Sequence, residues 1–237
     1  MAPLILVALW PVSPVGAFAV LMLSHMLILY PTLRANVQWL GPVVTRFATD
    51  RKELWLTIDD GPTEDTAEVL KLFASRGVKA TFFIKGKLAL ERPELIEAML
   101  AAGHTVANHS HTHPSASFWC ATPGRIAFEV DECQRAIARF TAPSRWFRAP
   151  VGMKNPFVHP LLARRGLRLI GWTARGFDGV AADAEKVVER ILPDLRPGAI
   201  VMMHQGGPQS LRMLQGVIDA AQERGYAFVV PEDAALA

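Results

Sequence analysis

From Glu53 onward, short apolar runs alternate with stretches of helical character, and this alternation narrows the possible folds more than any other feature of the chain. Runs of strand length fall at 54–58, 80–84, 104–108, 146–148, 168–171, 199–203 and 226–230. The intervening segments 64–75, 93–102, 123–140, 156–165, 183–192 and 209–224 read as helices. Gly77, Gly103, Gly166 and Gly225 stand where those helices would end, because glycine takes a left-handed cap without a Cβ penalty. Pro93, Pro123 and Pro156 suit first-turn positions, where a missing N–H costs nothing. Alternation repeated this often predicts an α/β fold with a parallel sheet and helical crossovers. About seven parallel strands over residues 53–237 are compatible with a (β/α) barrel, closed or nearly so, and with a doubly wound sheet. In both folds, catalytic residues collect at the C-terminal ends of the strands.

That expectation gives meaning to the stretch "LWLTIDDGPT", Leu54 to Thr63. An apolar strand runs into two adjacent carboxylates, Asp59 and Asp60. Burying either one unpaired costs several kcal/mol or forces it to take up a proton. A solvated turn would relieve the conflict, and so would a bound cation. Other chemically capable residues also follow strands. "NHSHTHP" places His109 and His113 in an H-x-x-x-H spacing that puts both rings on one face. Neutral imidazole suits zinc and similar divalent ions, and Asp60 would complete three protein ligands with room left for water. His111 points elsewhere, and Ser110 is positioned to orient a ligand by hydrogen bonding. Arg148, in "WFRAPVG", is a natural partner for a carboxylate near a metal. Asp178, in "GWTARGFDG", caps a turn or pairs with Arg148, while Trp172 and Phe177 fill the core or line a sugar platform. His204 follows the very apolar run "IVMM" and is a candidate general acid.

Taken together, these stretches resemble the NodB-type polysaccharide deacetylases, carbohydrate esterase family four, over roughly Leu54 to Val230. "TIDDGP" looks like the first family motif, "HSHTH" the second, "RAPVG" the third and "MMH" the fifth. The resemblance implies an incomplete (β/α) barrel holding one divalent metal ion, most simply zinc, on Asp60, His109 and His113. It implies Asp59 as base, His204 as acid, and Arg148 held by Asp178. The implied reaction removes an N-acyl group from an amino-sugar carbohydrate, and a lipid-linked sugar at the membrane is the alternative substrate. A catalytically inactive carbohydrate-binding protein is the alternative of a different class. The fourth motif departs from the family. Where the family pattern is Asp-x-x-Asp-Trp, this chain matches the second Asp with Asp178 and has Gly179 in place of the Trp. Val151 stands in the third motif where an aromatic is common. Trp172, Phe177 and Pro150 are therefore the candidate substrate-binding residues.

The N-terminus is a separate matter. The first charged side chain is Arg34, and the apolar block before it exceeds the ~20 residues that span a bilayer. Residues 1–33 read as a membrane segment, interrupted by Pro11 and Pro14, and residues 34–52 as a linker. A buried core helix and a cleaved signal peptide are the competitors, the latter weakened by the missing basic n-region. Arg34, Arg46, Arg51 and Lys52 lie after the block, which favours a cytoplasmic catalytic domain. A net charge of +3 without a basic, aromatic-interleaved run gives nucleic-acid binding no support. Cys120 and Cys133 are too few for a disulfide scaffold, and Cys133 reads as a small core residue.

Overall fold

The computed structural model describes residues 10–180 and 183–236, so the first nine residues of the apolar block lie outside the described residues. Helix α1 (Pro14–Leu33) starts where Ser13 Oγ accepts from Gly16 N–H, the side-chain cap expected before a first-turn proline. Its apolar side chains are largely exposed, Phe18, Leu23, Leu27 and Ile28 among them, so it is no buried core helix.

The rest alternates as expected: β1 (Glu53–Gly61), α2 (Thr66–Arg76), β2 (Ala80–Ile84), then two short helices, α3 (Gly86–Glu91) and α4 (Pro93–Ala101). Next come β3 (Thr105–Asn108), α5 (Pro123–Ile137), β4 (Trp146–Phe147), α6 (Val158–Arg164), β5 (Arg168–Leu169) and β6 (Ala174–Arg175). The chain finishes with α7 (Ala184–Ile191), β7 (Ala199–His204), α8 (Ser210–Glu223) and β8 (Ala227–Phe228). All ladders are parallel, in the order β5-β4-β3-β2-β1-β7-β6, with β8 paired to the start of β1. The seven strands of that path curl into an incomplete (β/α) barrel.

The seam between the two ends of that path, β5 and the β7–β6 pair, is bridged by residues before β1. Val44 bridges Ile170 in parallel and Arg46 bridges Ala199 in antiparallel fashion. Phe47 N–H donates to Gly198 O at 2.9 Å, and Gly171 N–H to Val44 O at 2.7 Å. Gly198, at φ 79°, makes this approach possible, since a Cβ there would lie 2.0 Å from the Phe47 carbonyl oxygen.

Alternation along β1 sorts its side chains between two cores. Leu54, Leu56 and Ile58 pack outward under the helices with Phe73 and Phe82. Trp55 faces the barrel interior with Phe83, Trp146 and Ile200, its ring centroid 4.8 Å from that of Trp146. The same period carries Thr57 and Asp59 to the interior side, so the first carboxylate arrives at the top of the barrel already buried.

Candidate active site

Asp59 and Asp60 do not end β1 as a solvated turn; both lie within the strand. Pairing with β2 passes from Asp59↔Phe83 to Gly61↔Ile84, so Asp60 is the extra residue of a β-bulge, with φ 75°. The bulge keeps Asp59 inside and turns Asp60 to the rim. There Asp60 Oδ1 lies 3.7 Å from His109 Nε2 and 3.4 Å from His113 Nε2. One ligand atom from each of Asp60, His109 and His113 falls within a 4.8 Å cluster.

The donor chemistry fits a divalent cation. His109 Nδ1 sits 2.9 Å from the Arg148 carbonyl oxygen, which can only accept. Nδ1 therefore carries the proton, and the Nε2 lone pair faces Asp60. Burial lowers the His109 pKa against the opposing pull of Asp59 and Asp60. Burial, with His109 second, lowers His113 to about 4, so both rings stand neutral as ligands must. Sequence reasoning missed Lys85, whose ammonium lies 2.9 Å from Asp60 Oδ1. Its position just past β2, beside two strand-end motifs, was the available signal.

The His109–His113 loop is held from below by Glu129 on α5, a buried carboxylate the sequence reading also passed over. It accepts from Thr112 N–H at 2.7 Å and Thr112 Oγ1 at 2.5 Å, and pairs with Arg125 at 2.6 Å. Ser110 Oγ accepts from His113 N–H at 3.1 Å, while His111 turns away to meet the Phe128 ring edge-on. Ser110 and His113 take φ values of 69° and 55°, so three residues of the cluster region adopt the left-handed backbone that side chains normally avoid.

Arg148 is fully buried, and every branch of its guanidinium is used. Nη1 donates to Asp59 Oδ1 at 2.6 Å and Thr57 Oγ1 at 2.8 Å, Nη2 to Gly171 O at 2.9 Å, and Nε to Ile170 O at 3.3 Å. The expected Asp178–Arg148 pair does not form among the described residues. Asp178 instead engages His204: Oδ1 is 3.0 Å from His204 Nδ1 and Oδ2 accepts from His204 N–H at 2.5 Å. The sequence order could not reveal this, because Asp178 and His204 meet only where β6 lies beside β7. Burial lowers the His204 pKa, but Asp178, aided by Asp59 and Asp60, outweighs it and raises the imidazolium above its ordinary range.

Asp59 and His204 are Cα partners across the β1–β7 ladder. Gln205, the next residue, lies against Gly61, where a Cβ would come within 1.6 Å of its Nε2. Asp60, Asp178, Gly179, His204 and Gln205 line one cleft of about 420 Å³. Gly179, at the position of the missing fourth-motif Trp, lies against His204: a Cβ there would be in van der Waals contact with the ring, 3.5 Å from Nδ1. Of the expected groove residues, Pro150 is buried, Trp172 packs its ring against Gly152, and Phe177 is half-exposed.

Solved structures similar to this chain include members of carbohydrate esterase family 4. A family 4 carbohydrate esterase from Streptomyces lividans, in complex with acetate, is 28% identical with a TM-score of 0.71, covering 78% of this chain and 96% of its own. A CE4 family pseudoenzyme from Bacillus anthracis is 26% identical with a TM-score of 0.71, covering 79% of this chain and 66% of its own. Residues 47–170 match the family described as Polysaccharide deacetylase. A chitooligosaccharide deacetylase of Sinorhizobium fredii is 36% identical over 202 residues, 77% of this chain and 92% of the relative. A peptidoglycan-N-acetylglucosamine deacetylase of Bacillus cereus is 31% identical over 190 residues, 76% of this chain and 69% of the relative. The chain belongs to the polysaccharide deacetylase family, and it is a hydrolase of the carbohydrate deacetylase class.

Proposed function

We propose that the protein removes N-acyl groups, most simply N-acetyl, from an amino-sugar carbohydrate at the cleft between β1 and β7. The observation that carries this reading is the direct opposition of Asp59 and His204 across one ladder, with the Asp60–His109–His113 cluster beside them. A divalent ion such as zinc, when held by that cluster, supplies Lewis acidity that acidifies water and polarises a carbonyl. Asp59, its carboxylate charge balanced by Arg148 until then, takes the proton as water attacks the acyl carbon. His204, supported by Asp178, protonates the departing amine. The products are a free amino sugar and a short carboxylate.

Helix α1 is long and apolar enough to cross a membrane, with only 17% of its most apolar window buried. A membrane-anchored enzyme at the inner membrane, its catalytic domain on the cytoplasmic side, follows from the Arg and Lys residues after the helix. That placement makes a lipid-linked sugar the second substrate reading.

The test is metal-reconstituted full-length protein on chitotetraose, with amine and acetate release followed together. Stoichiometric release of both that is lost in Asp59→Asn supports the reading. Saccharide binding without any release, by protein carrying one metal per chain, would refute it in favour of the inactive alternative that a pseudoenzyme relative illustrates.

A further inference from the structure

Arg175 ends β6 beside Met202 of β7, on the same rim as the catalytic candidates. In the Asp-x-x-Asp pattern matched at Asp178, its position is the first Asp, so a cation stands where the family resemblance leads one to expect a carboxylate. Its guanidinium carbon lies 4.4 Å from the Phe177 ring centroid and 5.2 Å from that of Trp172. Phe177 reaches this position through a left-handed backbone, φ 59°, while remaining 49% exposed. A phenylalanine rarely adopts that backbone, so the surrounding structure is holding the ring there.

Despite this restraint the guanidinium has no polar partner of its own among the described residues. Nε is sealed from solvent without a hydrogen bond among the described residues. The two carboxylates whose charge it feels, Asp178 and Asp59, are taken by His204 and Arg148. A guanidinium is a fork for planar or tetrahedral oxyanions, and ring stacking removes much of the rotamer freedom that binding would otherwise cost. The platform also touches the end of the apolar helix: Asn36 Nδ2 donates to Trp172 O at 2.8 Å, three residues beyond Leu33.

We propose that Arg175 is a recognition residue for an oxyanion carried by the saccharide substrate, a phosphate or a carboxylate placed next to the Asp178–His204 pair. This deepens the deacetylase reading of the cleft and rests on it for the reaction, though not for binding. The oxyanion has two sources: the phosphate through which a sugar is attached to a lipid, or an acidic substituent within a soluble glycan.

The test is an NMR titration of the metal-loaded full chain in detergent micelles with N-acetylglucosamine, N-acetylglucosamine 1-phosphate and N-acetylmuramic acid. The wild type is expected to bind at least one charged sugar about tenfold more tightly than the neutral one, the scale of one charge-assisted interaction. Preference for the phosphate points to the lipid-type source, and preference for the carboxylate to the glycan-type source. Arg175→Gln is expected to erase the preference, Arg175→Lys to keep part of it, and 500 mM salt to weaken it in the wild type. Equal binding of neutral and charged sugars by the wild type, or a preference that survives Arg175→Gln, overturns the proposal. If Arg175→Gln does not fold, Phe177→Ala serves instead, and an unreduced preference there counts against the clamp. A protein that prefers the charged sugar yet deacetylates nothing would sink the deacetylase reading and leave the role of Arg175 standing.

Discussion

Asp178 Oδ1 sits 3.0 Å from His204 Nδ1, and its other oxygen accepts the His204 backbone N–H. One carboxylate therefore fixes both the ring and the strand end that carries it. The ring nitrogen facing Asp178 is the donor, which leaves Nε2 for chemistry.

Replacing Asp178 by Asn should lower activity on an acetamide sugar by about tenfold or more, because a misplaced acid loses part of the ~10²–10⁴ that proton transfer contributes. The pH profile carries the sharper signal. Burial lowers the His204 pKa and Asp178 raises it, with a net rise, so the imidazolium persists to higher pH than for a free histidine. Removing Asp178 should move the alkaline limb of kcat/KM to lower pH. An alkaline limb that stays in place would show that His204 is not the titrating acid.

The Arg148–Asp59 pair makes a prediction about folding as well as rate. Both side chains are buried, at 1% and 4% exposure. Breaking a buried ion pair by removing one partner typically costs roughly 3–5 kcal/mol, because the other charge is left uncompensated. Arg148→Met should therefore lower the unfolding midpoint strongly and abolish turnover. Adding Asp59→Asn to it should recover part of the stability but none of the activity. A double variant no more stable than Arg148→Met would contradict this account of the pair.

Most of the fold was legible because the strand interiors are unambiguous. The run at 80–84 is β2 to the residue, and the 54–58 run lies inside β1. What escaped is informative. Strand β6 has two residues, one of them charged, so it carries no apolar run; it exists because Thr173 N–H donates to Ile200 O and the chain is laid along β7. Residues 43–47 have no strand neighbours in sequence, yet Val43, Val44 and Phe47 are buried because the barrel is open there. In the site, the motif residues were readable from type and spacing. Lys85, Glu129 and the Asp178–His204 contact were not, since each depends on which strand or helix lies next to which.

Metal content can be followed without activity. His113→Ala removes one of three ligands and should leave the purified protein with little bound divalent ion, while Asp59→Asn should keep it. Burial holds His113 down to about 4, so its ring stays neutral and ligand-competent above that value and is protonated below it. Metal retention should thus be flat from pH 8 to about pH 6 and fall as the pH approaches 4. Loss centred near the ordinary histidine range of about 6.5 would mean the rings are more solvated than the geometry indicates.

The two cysteines should behave differently. Both are free thiols, Cys120 exposed and Cys133 buried. Burial pushes the Cys133 thiol up to about 12, and its Sγ donates to Ile84 O at 3.4 Å. A thiol reagent at pH 8 should titrate one cysteine per native chain and two after denaturation. Two fast equivalents in the native protein would show that α5 is not seated on β2 and β3.

Topology is the last prediction, and the clamp at the end of α1 gives it structural content. Lys154 Nζ donates to Arg34 O at 2.7 Å and Ala35 O at 2.8 Å, and Lys154 N–H to Thr32 O at 3.1 Å. Lys154 follows the Arg148 motif, so the helix ends against the same rim that carries the catalytic candidates. If α1 spans the bilayer, the cleft stands close to the membrane surface. Arg34, Arg46, Arg51 and Lys52 follow the helix, and basic residues are retained in the cytoplasm. A green fluorescent protein fused after Ala237 should therefore fluoresce, and an alkaline phosphatase fused there should be inactive. Phosphatase activity without fluorescence would put the domain outside and overturn the charge-bias reading. Recovery of the fusion in the soluble fraction after high-salt washing would remove the membrane span itself.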